Sequence, residues 1–381
     1  MYEPYKLYLS VLHSTGKYRR LLTTGQENQN NYLDFSTNDY LGLSRNSEIL
    51  NAGIVAAQQY GIGSTGSRLL SGNNELFESL EALIAKDKNT ESALIFNTGF
   101  QTNLSVLSSL LDSKILASKP IVFFDKLNHA SLYQAISLSH PELVRFRHND
   151  MEHLSSLLIK YENDNRPKFI VTETVFGMDG TILPIETIVS LAKKYKTFLY
   201  LDEAHATGIY GPHGYGLSTN IDLTGIPFVI MGTFSKALGC SGGYVACDQI
   251  LKDYLINKAQ GFIYSTANSP FVIGASYKAW EIIRDLNKER EQLFSLSAIL
   301  RNKLMNLGFD IGASASHIIP IICKEEKLAI KITEKLFQKK IIVSCIRPPT
   351  VPLNSARIRI ALNSNHKKSD IEQLLQILET L

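Results

Sequence analysis

The sequence predicts an α/β protein: a large domain on a mostly parallel sheet, followed by a smaller α+β domain. Three observations predict it. Short apolar runs alternate with amphipathic stretches through the middle of the chain, the order that builds a parallel sheet with crossover helices. Those runs are continuous in Ile, Val, Leu and Phe rather than alternating with polar residues, as strands covered on both faces are. Beyond residue 275 or so the pattern changes to strands spaced around a single amphipathic stretch.

The elements follow in chain order. Residues 1–45 read as an N-terminal segment, 46–275 as the large domain and 276–381 as the small one. Strands are expected at 93–96, 121–124, 169–172, 198–201, 228–231 and 244–246. A helix at 75–86 aligns Leu76, Phe77, Leu80, Leu83 and Ile84 on one face, with Asn73 or Asn74 as its N-cap. One long helix, 273–307, leaves the central unit. Strands at 318–323, 341–346 and 357–361 follow, with a helix near 328–338 between the first two. The last helix opens on a capping box, Ser369 and Glu372 satisfying each other's free backbone N–H groups.

Composition narrows the class. Lys and Arg total 39 against 36 Asp and Glu in 381 residues, a net charge of +3, which leaves no basic excess for a nucleic-acid or membrane binder. Apolar residues at 44% against 20% charged exclude compositional disorder. No apolar run reaches the roughly 18 residues of a membrane span, and no signal peptide is visible, so a cytoplasmic protein is expected. Cys240, Cys247, Cys323 and Cys345 are scattered and form no CxxC, which fits a reducing compartment.

Three motifs suggest chemistry that their context does not support. Gly61-Ile62-Gly63-Ser64-Thr65-Gly66 matches a dinucleotide fingerprint, but it follows a helical stretch where the motif needs a preceding strand. Gly239-Cys240-Ser241-Gly242-Gly243 matches a nucleophile elbow, but its apolar run comes after the Ser rather than before it. Asp202-Glu203-Ala204-His205 lacks further His or Cys at ligand spacing, so no metal is expected.

Other residues fit together. Several reactive side chains fall just past the C-terminal ends of expected strands, the edge where open α/β sheets bind ligands. Asn97-Thr98-Gly99-Phe100-Gln101 precedes a helix and forms an anion cradle at its positive end. Asp125-Lys126-Leu127-Asn128-His129-Ala130-Ser131 follows the second strand, Asp202 and His205 the fourth, and Thr233, Ser235 and Lys236 the fifth. Each has a bland reading alone: a solvated Lys, a structural His, a helix-capping Asp. Together, a cradle, a ring-sized His, a strand-end Asp and a Lys in a Gly/Ser loop are the parts that pyridoxal phosphate requires.

These motifs place the chain by resemblance. Asp34-Phe35-Ser36-Thr37-Asn38-Asp39-Tyr40-Leu41-Gly42-Leu43, Leu127-Asn128-His129-Ala130-Ser131, Leu201-Asp202-Glu203-Ala204-His205-Ala206-Thr207-Gly208 and Thr233-Phe234-Ser235-Lys236 resemble the α-oxoamine synthases over nearly the whole chain. That resemblance implies a fold-type I pyridoxal-phosphate transferase with a mostly parallel seven-stranded sheet. It implies a cytoplasmic homodimer that condenses an amino acid with an acyl thioester and releases CO2. Within the family, Ile346-Arg347-Pro348-Pro349-Thr350-Val351-Pro352 looks like the biotin-pathway member that joins L-alanine to a pimeloyl thioester of CoA or acyl carrier protein. The alternative is the relative that uses glycine and acetyl-CoA.

The resemblance implies a role for each matching residue. Lys236 carries the cofactor and then removes the Cα proton, while Asp202 pairs with the pyridinium nitrogen. His129 stacks on the ring and His205 hydrogen-bonds the phenolic oxygen. Backbone N–H groups of Gly99 and Phe100, with the Thr233 hydroxyl, hold the phosphate, and Ser265 and Thr266 reach the phosphate in the neighbouring subunit. Asn38, His129 and Arg359 bind the substrate, Arg359 through its carboxylate, and Thr350 and Arg19 contact the acyl group, with Arg20 the competitor for that last role. One departure stands out: Gly177 occupies a position where the family usually has Ser, which removes one hydrogen bond to the phenolic oxygen and leaves more of that contact to His205.

Overall fold

The computed structural model describes residues 1–15, 17–19, 21, 32–348 and 350–380. The chain divides into two compact units. The smaller comprises Met1–Thr37, Met178–Thr181 and Glu291–Leu381, and the larger Asn38–Gly177 and Ile182–Arg290. The boundaries expected after residues 45 and 275 both fall inside the larger unit.

The first strand, β1 (Leu33–Asp34), belongs to the smaller unit. The next seven form one sheet: β2 (Ser92–Phe96), β3 (Ile121–Asp125), β4 (Glu142–Phe146), β5 (Lys168–Glu173), β6 (Phe198–Asp202), β7 (Phe228–Thr233) and β8 (Gly243–Cys247). The last four are β9 (Ile318–Lys324), β10 (Ile341–Ile342), β11 (Ser344–Ile346) and β12 (Ala356–Ala361).

The seven-stranded sheet runs β2-β8-β7-β6-β5-β3-β4, with every pair parallel except the two made by β8. All of its strands except β4 are buried along nearly their whole length, the other edge strand β2 included. Each large apolar side chain so buried contributes roughly 1.5–3 kcal/mol. The edge strand β4 escapes the reading from apolar runs because Glu142 and Arg145 interrupt it and only Phe146 is buried. Edge strands tolerate such charges, since one of their sides has no neighbour in the sheet.

Several helix starts carry side-chain caps. Asn74 Oδ1 accepts the Leu76 N–H at 3.1 Å, Thr98 Oγ1 the Gln101 N–H at 3.1 Å and Asp150 Oδ1 the His153 N–H at 2.8 Å. The long helix expected at 273–307 is two, Pro270–Ile283 and Asn287–Asn306. Between them Asp285 and Leu286 donate to the carbonyls three residues back, and Arg290 Nη1 donates to the Ile283 carbonyl at 2.7 Å. The Ile283 carbonyl thus accepts from both Leu286 and Arg290 where the α-helical ladder ends.

In the smaller unit β11-β12-β9 form an antiparallel sheet and β1 pairs with β10 in parallel. The run expected as one strand at 341–346 is therefore split between two sheets at Val343. The last helix, Lys368–Leu378, begins ahead of the expected box: Asp370 Oδ2 accepts the Lys367 N–H at 2.9 Å, and Ser369 lies inside the helix. No helix among the described residues is long and apolar enough to cross a membrane.

Candidate active site

In the larger unit, the parallel strands deliver their last residues to one edge, and the expected side chains gather there. Asp202 ends β6, 3% exposed. Its Oδ1 accepts the Ala204 N–H at 2.9 Å and its Oδ2 the Asn103 amide at 2.7 Å. The directions along this network are fixed by the donor inventory. Asn103 spends its second amide proton on Ser131 Oγ at 2.9 Å, and its carbonyl accepts the Tyr200 hydroxyl at 2.8 Å. Ser131, having accepted there, has its own proton left for His129 Nδ1 at 2.8 Å. One buried Asn thus orients both the strand-end carboxylate and the ring of the helix-capping His129.

Electrostatics tie Lys236 to the same group. Desolvation by the surrounding protein atoms lowers the His129 pKa below the ordinary histidine value, although the residue keeps an exposed face; Asp202 opposes that shift and Lys236 adds to it. Glu173 ends β5 opposite Asp202 in the register and is 5% exposed. Burial pushes its carboxyl well above the usual range, Asp202 pushes further, and Lys236 and the His129 N–H oppose. Lys236 itself sits in a loop closed at its base by Phe234 N–H to the Gly242 carbonyl at 3.1 Å and at its tip by Gly239 N–H to the Lys236 carbonyl at 2.9 Å.

The residues expected to form an anion cradle stand at a helix start. Helix Gly99–Leu110 makes its first i→i−4 bond from Thr102 to the Thr98 carbonyl, so the Gly99 and Phe100 N–H groups precede the ladder. A Cβ on Gly99 would lie 3.1 Å from Met231 Cε and 3.4 Å from Thr233 Oγ1, which places the helix start against the end of β7. Thr233 Oγ1 donates to the Gly242 carbonyl at 2.7 Å and stands 2.8 Å from Ser235 Oγ. Ser265 Oγ accepts from Gln101 at 2.6 Å, and the Asn97 amide donates to the Thr266 carbonyl at 2.6 Å, so this pair borders the cradle of its own chain.

His205, buried after β6, sets Nδ1 2.7 Å from the Tyr40 hydroxyl, which also lies 3.0 Å from Asn38 Oδ1. The remaining expected residues belong to the smaller unit. Arg19 Nη2 donates to Thr350 Oγ1 at 2.8 Å, which brings together two residues 331 positions apart. Arg359 is 4% exposed on β12, and Arg357, two residues before it, pairs with Asp179. Arg20 lies outside the described residues. No cluster of His, Cys, Asp and Glu suited to a metal occurs among the described residues.

A strand-end carboxylate, a lysine in a closed loop, a ring-sized His and a helix-start cradle fit a phosphorylated pyridine ring. The Aminotransferase class I and II family model matches residues 30–378. The chain belongs to that family. A relative from Paramagnetospirillum magneticum named as an 8-amino-7-oxononanoate synthase is 45% identical over 90% of this chain and 86% of its own. An 8-amino-7-oxononanoate synthase structure from Francisella tularensis superposes with a TM-score of 0.79 at 30% identity, covering 92% of this chain and 98% of the other. A serine palmitoyltransferase from S. paucimobilis, with a PLP–myriocin aldimine bound, superposes at 0.89 and 25% identity over all of this chain and 96% of the other. The fold is that of the fold-type I pyridoxal-phosphate transferases, as the motifs implied.

Four contributors escape motif reading: Tyr40, Asn103, Ser131 and Glu173. Ser131 and Tyr40 lie within motifs quoted for their neighbours, and Glu173 directly follows the strand expected at 169–172, which was the available signal. Asn103 has none, because its only mark is burial on a helix face.

Proposed function

We propose that this chain is a pyridoxal-phosphate-dependent acyltransferase of biotin biosynthesis. It condenses L-alanine with a pimeloyl thioester of CoA or acyl carrier protein to give 8-amino-7-oxononanoate, CO2 and the free thiol carrier. The single observation that carries the cofactor reading is the Asn103 network that orients buried Asp202 and His129 within electrostatic reach of Lys236. The names of the relatives support the choice of substrates.

When bound, pyridoxal phosphate supplies an electron sink for charge at the amino acid's Cα. Lys236 holds it covalently and later takes the Cα proton. Asp202, desolvated and held by two donors, keeps a proton on the ring nitrogen. His129 would contact the cofactor's ring and His205 its phenolic oxygen. Gly99, Phe100 and Thr233 hold the phosphate, and Ser265 and Thr266 extend that grip across a homodimer. Arg359 takes the amino-acid carboxylate through parallel N–H groups, Asn38 assists, and Arg19 with Thr350 meets the acyl substrate.

The test offers L-alanine or glycine with pimeloyl-CoA, pimeloyl-acyl carrier protein or acetyl-CoA and identifies the product by mass. Formation of 8-amino-7-oxononanoate from alanine supports the reading, whereas 2-amino-3-oxobutyrate from glycine alone replaces it. Borohydride reduction and peptide mapping should place the phosphopyridoxyl label on Lys236, and a label on another lysine overturns its role.

A further inference from the structure

A buried ion pair holds the turn that leads the chain away from Asp202. Glu203 extends β6 by one residue, its N–H bonding the Met231 carbonyl at 2.7 Å, so its side chain leaves on the face opposite Asp202. There Glu203 Oε2 meets Lys88 Nζ, and Oε1 accepts the Ser218 N–H at 2.8 Å. Both charged side chains are 0% exposed. The Glu203 carbonyl accepts the Ala206 and Thr207 N–H groups, each at 2.9 Å, which closes the turn.

Lys88 directly follows helix Glu75–Asp87, and the helix end accounts for a cation there but not for a carboxylate buried against it. Burial pulls the Lys88 ammonium below its ordinary pKa, and Glu203 opposes that shift. The surroundings are shaped to the pair. Gly216 has a φ of +110°, and a Cβ there would collide with Glu203 Oε2 and lie 2.7 Å from Lys88 Nζ. Buried pairs add little stability over apolar residues of similar volume, although losing one partner is costly. What the charges add is direction: they tie the helix end, the turn at 203–207 and the loop at 216–218 together at fixed atoms.

We propose that Lys88 and Glu203 are positioning residues, a clamp that fixes the turn after Asp202 and through it the angle of the Asp202 carboxylate at the sheet edge. Asp202 Oδ1 accepts the N–H of Ala204, the residue next to Glu203, so a shift of Glu203 moves a donor that Asp202 depends on. The clamp is a property of the chain itself. Only its effect on turnover rests on the function proposed above.

The experiment compares the wild-type chain with Lys88→Met, which leaves Glu203 buried without its cation, and with Lys88→Met/Glu203→Gln, which removes both charges and keeps an acceptor for Ser218. Urea midpoints should fall in the single variant and return close to wild type in the double. Hydrogen exchange of the full chain without cofactor, read by mass spectrometry, should nonetheless be faster in the double variant at residues 203–208 and unchanged in peptides from β5. In the loaded double variant kcat should fall about tenfold with KM little changed, the result of a misaligned Asp202. Wild-type exchange at 203–208, or local loosening that leaves kcat unchanged, overturns the proposal. Where the double variant is itself destabilised, loosening confined to 203–208 still supports the clamp, and loosening spread equally over β5 overturns it. Failure of the wild-type chain to bind pyridoxal phosphate would sink the proposed function, and the exchange result would then decide the clamp alone.

Discussion

At the scale of single residues, Asn103 ties the site together. It answers Tyr200, Asp202 and Ser131 at once, and solvent cannot stand in for it, since Asn103 is 2% exposed. Buried polar networks are worth most when complete and cost most when one member is lost. Asn103→Leu should therefore destabilise the protein by about 1–3 kcal/mol, read from the urea midpoint, because it leaves the Tyr200 hydroxyl without that acceptor and Asp202 and Ser131 without that donor. It should also lower kcat more than its stability loss explains, since Asp202 and His129 both lose their orientation. Normal turnover in a destabilised variant would confine Asn103 to a structural part.

Among the elements, helix Gly99–Leu110 does two jobs with one N-terminus. Thr98 caps it, and the same first turn presents the N–H groups of the cradle. Asp150 caps helix Met151–Lys160 with a bond of the same kind away from those residues. Either cap changed to Ala should cost about 1 kcal/mol in urea unfolding. Thr98→Ala alone should weaken pyridoxal phosphate binding, measured by absorbance titration, because fraying moves the cradle. Equal effects of the two variants on cofactor affinity would separate the cradle from the cap. The break between Pro270–Ile283 and Asn287–Asn306 shows the limit of periodicity at this scale: the apolar repeat continues through it, while the backbone turns to i→i−3 bonds at Asp285 and Leu286 and Arg290 reaches back to the Ile283 carbonyl.

For the whole molecule, His366 makes stability depend on pH. It is 5% exposed, stacks on Phe35 with ring centroids 4.3 Å apart, and accepts the Asn363 N–H on Nδ1 at 3.0 Å. Burial lowers its pKa below the ordinary value of about 6.5, with Asp370 and Asp34 opposing. Below that pH the unfolded chain binds a proton that the folded chain resists. Stability conferred by the neutral ring is thus full above about 6.5 and is lost as pH falls toward the depressed folded value. Urea midpoints should decline as the pH is lowered from about 7 to about 5.5, and His366→Asn, which keeps an acceptor for Asn363, should flatten the slope by up to about 1.4 kcal/mol per pH unit. An unchanged slope would assign the decline to other groups.

The sequence by itself determined the alternation of strands and helices, a cap at Asn73 or Asn74, the helix start that follows Asn97-Thr98, and the edge of the sheet at which Lys236, Asp202, His129 and His205 collect. Those features are local: a strand's burial and a cap's chemistry are written in a few adjacent residues, and a parallel sheet sends every strand end to one side. It missed β4, whose charges suit an edge, and it placed the final cap at Ser369 where Asp370 accepts the bond. Only the tertiary structure decided that Asn103 binds Asp202, 99 positions away, that Tyr40 meets His205 across 165, and that the ring of His205 fills the space beside Gly177. Hydrogen-bond direction and empty volume are properties of groups brought together by packing, and no spacing along the chain encodes them.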